Sequence, residues 1–68
     1  GGNVMDMKYV ILFENGFYYN ENSMTYSLSK SKLYSSPYDI DRDVKLKEFT
    51  TLKNVKYTIE MVKLKIIK

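Results

Sequence analysis

Lys8-Tyr9-Val10-Ile11-Leu12-Phe13-Glu14-Asn15-Gly16-Phe17-Tyr18-Tyr19 is the stretch that decides the fold. An apolar run, an Asn-Gly pair and an aromatic run together spell a β-hairpin. Residues 7–14 read as the first strand, with Tyr9, Ile11 and Phe13 on one face and Val10 and Leu12 on the other. Apolar residues on both faces predict a central strand, or one whose second face is covered. Asn15-Gly16 predicts a two-residue type I′ turn, which needs positive φ at both central positions. Phe17, Tyr18 and Tyr19 then return antiparallel, where aromatic cross-strand pairs add up to about 1 kcal/mol each.

Downstream of the hairpin, residues 20–23 are polar turn chemistry. Met24 to Leu28 reads as a short strand or an irregular crossing. Lys32 to Ser35 reads as another short strand, with either Leu33 or its neighbours turned inward. Ser36-Pro37 marks a helix start, with Ser as N-cap, Pro at the first position and Asp39 in the first turn. The expected helix covers residues 37–48, with Ile40, Val44, Phe49 and Leu52 towards the sheet and Leu46 off the stripe. An extended path over residues 44–49 alternates equally well, and residues 50–54 read as a connection. Residues 55–67 are the last strand. Val55, Tyr57, Ile59 and Met61 alternate with polar residues, and then the phase slips to Val62, Leu64 and Ile66. A β-bulge at Met61–Val62 would account for that slip, and the length of the strand predicts a bend or an overhang. The architecture expected is α+β: a mainly antiparallel sheet of three to four strands with one helix packed on one face.

Sixty-eight residues make one small domain with a thin stability margin. Gly1-Gly2 reads as a tag scar, residues 1–6 as a disordered start and residues 7–68 as the domain. The chain has no Cys and no His, which removes disulfides, ordinary zinc sites, thiol nucleophiles and an imidazole base. No enzyme activity, cofactor or metal is expected. Ten aromatics (seven Tyr, three Phe) and 44% hydrophobic content must supply the core, and a homodimer would add to it. No apolar run reaches the length of a membrane span.

The net charge of +3 is unevenly spread. Residues 1–43 carry four cations against six acids, whereas residues 44–68 carry seven Lys against two Glu. The Lys-rich end can track phosphates or simply solubilise a sheet edge. Lys53, Lys56, Lys63 and Lys65 are the candidates for a nucleic-acid stripe along one side of the last strand. Asp39, Asp41 and Asp43 have the spacing that opens a calcium loop. Val44 and Thr50, however, stand where that loop needs Gly and a bidentate Glu, so calcium is not expected. The acids suit a helix start, or a contact patch for an Arg-rich groove. Tyr18, Tyr19, Tyr26, Tyr34 and Tyr38 are too many for one small core, and surface Tyr favours protein interfaces. Tyr18, Tyr26, Tyr34, Tyr38, Asp39, Asp41 and Asp43 form the candidate partner-binding set.

Lys8-Tyr9-Val10-Ile11, Glu14-Asn15-Gly16-Phe17-Tyr18-Tyr19 and Leu28-Ser29-Lys30-Ser31-Lys32-Leu33-Tyr34-Ser35-Ser36 together resemble small uncharacterised proteins of phages of Gram-positive bacteria. The resemblance covers residues 7–40. The chain departs from it at Met24 and Tyr26, where an aromatic, usually Trp, precedes the Ser-Lys segment; its helix is also more acidic and its last strand longer. The resemblance implies work in the host bacterial cytoplasm by binding, such as inhibition of a CRISPR effector or another defence protein (anti-CRISPR or anti-defence action). The expected function is therefore a non-catalytic protein–protein interaction module that inhibits a bacterial defence protein or nuclease. The alternative is a small non-specific nucleic-acid-binding domain.

Overall fold

The computed structural model describes residues 3–21 and 23–67. Four strands, β1 (Asn3–Phe13), β2 (Tyr18–Tyr19), β3 (Met24–Thr25) and β4 (Tyr57–Ile67), form an antiparallel sheet in the order β3-β2-β1-β4. Two helices, α1 (Pro37–Asp41) and α2 (Val44–Lys53), lie between β3 and β4 in the chain. This is the small α+β fold expected, with β1 central and one main helix, α2. β1 starts earlier than the expected residue 7, taking in Asn3 to Asp6 opposite Ile67 to Leu64. Gly1 and Gly2 lie outside the described residues.

The hairpin forms through a different turn. Within the turn only Gly16 has positive φ, at 89°, and the Gly16 N–H donates to the Phe13 carbonyl at 3.0 Å. Phe13 N–H in turn donates to Phe17, closing a three-residue loop with the left-handed residue last. The Asn15 carboxamide oxygen accepts from Phe17 N–H. Asn15 thus serves by its side chain.

One face of the sheet holds the core. Ile11, Phe13, Tyr19, Tyr34, Ile40 and Leu46 are buried together, with Tyr9, Phe17, Met24, Phe49, Val55 and Tyr57 packed around them. Phe13 meets Tyr19 and Tyr57 edge-on, and Phe49 of α2 lies over both Phe13 and Tyr19. Val10 is buried on the opposite face. Near it, Leu28, Leu33, Val62 and Leu64 line a shallow groove.

That second apolar site explains the phase slip in β4 without a bulge. The β1–β4 register runs unbroken from Asn3↔Ile67 to Phe13↔Tyr57. Tyr57, Ile59 and Met61 lie on the helix face, and Val62 and Leu64 on the other. The apolar side changes because the covering segments change, and no residue is inserted. β1 meets β2 at Leu12 and the chain at Tyr34 through an isolated bridge at Tyr9. Asn3 to Lys8 therefore pair with β4 alone, and this overhanging ribbon makes the molecule 46 Å long and 16 Å thin.

The expected helix over 37–48 is two helices. Pro37 opens α1, and the Ser36 hydroxyl accepts from Asp39 N–H. The chain then breaks at Arg42–Asp43, and Asp43 caps α2 by accepting from Leu46 N–H at 3.2 Å. Residues 50–53, expected as a connection, complete α2. Asn54 ends it in the left-handed region at φ 54°, with Lys53 in the last turn. The faces differ as well. Leu46 is fully buried, whereas Val44 and Leu52 are 62% and 84% exposed.

Candidate protein-contact surfaces

The three acids expected to act together are divided by the break between the helices. Asp39 and Asp41 are exposed on α1. Asp43 is withdrawn: Tyr34 donates its hydroxyl to the Asp43 carboxylate at 2.6 Å, and the Lys32 ammonium sits 3.0 Å from the same oxygen. Lys32 also pairs with Glu21 at 3.3 Å and lies over the Tyr34 ring. Tyr34 is 4% exposed, so it belongs to the core and not to a contact surface. It alternates inward with Leu33 outward, the second of the two arrangements the sequence allowed, because Tyr9 and Tyr34 exchange backbone hydrogen bonds.

Burial opposes ionisation of Asp43, but the Tyr34 hydroxyl, the Lys32 ammonium and the Leu46 N–H outweigh it and hold the carboxyl below its ordinary value. Burial, and then the bond to Asp43, push the Tyr34 hydroxyl far above its usual range. Burial lowers the Lys32 pKa, yet its bonds to Asp43 and Glu21 raise it on balance. A depressed carboxylate contributes stability above its unfolded pKa and loses it as pH falls through the folded value. Raised Tyr and Lys groups contribute below their unfolded values and lose it as pH rises. Stability should therefore be flat between about pH 5 and pH 9 and fall on both sides. Urea midpoints measured across pH check this: Asp43→Asn should flatten the acid limb and Tyr34→Phe the alkaline one. An acid limb of full slope in Asp43→Asn would show that the network carries no linkage.

The remaining tyrosines fall into two groups. Tyr26 is 75% exposed and its ring lies 3.7 Å, centroid to centroid, from that of Phe17. Tyr18, half-buried in β2, pairs with Thr25 and, standing opposite Leu12, points to the other face of the sheet, away from that stack. The Phe17–Tyr26 stack stands at the hairpin end of the sheet. Tyr38, 72% exposed, shares α1 with Asp39 and Asp41. That helix follows the Tyr9–Tyr34 bridge, four residues back along β1 from Phe13. Two separate surfaces result, one aromatic and one acidic.

Among the described side chains, the candidate lysines do not form one stripe. Lys53 ends α2, while Lys56 and Lys63 are exposed on opposite faces of the β4 register. Lys65 stands opposite Met5, and its side chain lies outside the described residues, as does Lys68. Among the described residues, no cluster of carboxylates could hold a metal ion, and no helix is long and apolar enough to cross a membrane.

Phe17, Lys32 and Glu21 stand outside the contact set expected from the sequence. Phe17 could have been found by the aromatic alternation of the returning strand. Lys32 and Glu21 meet Asp43 only through tertiary packing and leave no local signal. Comparison with protein-family models, with curated proteins and with solved structures finds no match for this chain.

Proposed function

We propose that the chain is a non-catalytic protein-binding module that inhibits a bacterial host protein, with the Tyr26–Phe17 stack at the centre of the contact. The observation that carries this is an aromatic side chain three-quarters exposed yet already held by a neighbouring ring. A Tyr so placed offers a large contact area with little rotamer entropy left to lose on binding. Tyr38, Asp39 and Asp41 add a second, acidic contact suited to the basic surface of a nucleic-acid-binding protein such as a CRISPR effector or another defence nuclease. The partner class follows from the resemblance to phage-encoded proteins. The absence of His and Cys supports a role by binding rather than by catalysis.

The test is capture from host lysate with and without nuclease, using the wild-type chain beside Tyr26→Ser. A protein retained after nuclease, and weakened about tenfold or more by Tyr26→Ser, is the expected result. Tyr26→Ser gives up the stack on Phe17 and should cost at most about 1 kcal/mol by urea denaturation, so the loss of binding is read on a folded variant. A bound fraction that vanishes with nuclease and weakens steeply with salt would overturn the proposal in favour of phosphate binding by the lysines.

A further inference from the structure

The two edges of the sheet are not treated alike. β3 closes one edge with two residues, too short to template another strand. β4 leaves the other edge with eleven. The direction of its backbone groups follows from β1. Tyr9 exchanges hydrogen bonds with Tyr34 and Phe13 donates to Phe17, so the odd-numbered residues of β1 bond away from β4. The even-numbered ones bond towards it, as the Glu14 N–H to the Lys56 carbonyl continues to do. By register, Tyr57, Ile59, Met61, Lys63 and Lys65 direct their N–H and C=O groups to the open edge. Of these, Ile59, Met61 and Lys63 lie on the helix face past Tyr57, where Ile59 is 42%, Met61 53% and the neighbouring Met7 40% exposed.

We infer that the occupant of this edge is a second copy of the chain, paired β4 to β4, antiparallel, about a two-fold axis at Met61. The sheet then runs continuously through both copies. An antiparallel pair of identical strands has its two-fold axis perpendicular to the sheet, so each face stays on its own side and odd residues oppose odd residues. Centred on Met61, the register sets Met61 against Met61, Ile59 against Lys63 and Tyr57 against Lys65. No lysine opposes a lysine, and about ten backbone hydrogen bonds close. The exposed patches of Met7, Ile59 and Met61 on the two copies meet at the axis. Moving the axis to Lys63 would put like charges face to face and part those patches. The charge pattern that discourages general edge pairing thus leaves a self-complementary register open. A domain of this size also gains most from added buried surface.

The experiment is sedimentation equilibrium on the full chain and on two variants, Met61→Lys and Met61→Glu, alone and mixed. Met61 is half exposed, so neither substitution disturbs the core; circular dichroism checks that each variant is folded. The wild-type chain should sediment at twice its 8.0 kDa mass. Each variant places like charges across the axis and should dissociate at concentrations roughly tenfold or more above those at which the wild type does. The equimolar mixture should recover the dimer, because Lys then opposes Glu across the axis and nowhere else. A wild type that stays monomeric, variants that dimerise as it does, or a mixture that stays monomeric would each overturn the inference. None of these outcomes depends on the Tyr26 contact, so the two proposals fail separately.

Discussion

Asp43→Ala should lower the stability of the domain by roughly 2–4 kcal/mol. Two losses add up to that figure. Removing the N-cap of α2 costs about 1 kcal/mol. Stranding the buried Tyr34 hydroxyl, whose partner is the Asp43 carboxylate at 2.6 Å, costs about 1–3 kcal/mol more. Against a total of roughly 3–10 kcal/mol for a chain of this length, the variant should sit near the edge of folding. Its relatives separate the two losses. Asp43→Ser retains a cap and loses the partner of Tyr34 and Lys32. Tyr34→Phe retains both the cap and the Lys32 pair, and should cost about 1 kcal/mol. Urea denaturation of the three variants checks the ranking, with Asp43→Ala lowest and Tyr34→Phe highest. If Asp43→Ala stayed within about 0.5 kcal/mol of wild type, as an ordinary surface change does, the network would be incidental to the fold.

The elements set by local chemistry were legible in the sequence. The β1 alternation, the turn at Gly16, the Ser36-Pro37 helix start and the last strand all depend on residues adjacent in the chain. Two local signals were present and passed over. Asp43 stands directly before Val44, as an N-cap should, and Asn54 directly after Lys53, as a left-handed C-cap should. Together they bracket α2, and a single helix over 37–48 overlooks both. The phase slip in β4 is a different matter. A bulge and a change of covered face produce the same sequence, and only the unbroken β1–β4 register, with Leu28 and Leu33 placed beside Val62 and Leu64, separates them. The candidate contact residues divide along the same line. Exposure of Tyr26 and Tyr38 follows from a surplus of Tyr over core volume. The withdrawal of Tyr34 and Asp43 depends on the Tyr9–Tyr34 bridge between residues 25 apart.

Leu46→Ala should be among the costliest single truncations in α2, at roughly 2–5 kcal/mol, while Val44→Ala and Leu52→Ala should each stay within about 0.5 kcal/mol of wild type. By hydrophobicity alone the three are near equals, and the sequence stripe favoured Val44 and Leu52. The cap at Asp43 reverses that choice. With the helix starting at Val44 and turning 100° per residue, Leu46 and Phe49 lie about 60° apart and face the sheet together. Val44 is about 160° from Leu46, and Leu52 about 120°, so both turn to solvent. The exposures agree: 0% for Leu46 against 62% and 84% for the other two. Leu46 packs in the cluster of Ile11, Phe13, Tyr19 and Ile40, where a lost isobutyl group leaves a cavity under a ten-residue helix that buries little else. Thermal melts of the three variants would decide it. A large loss in Leu52→Ala with none in Leu46→Ala would mean that α2 is rotated on its axis, and with it the placement of Asp43 against Tyr34.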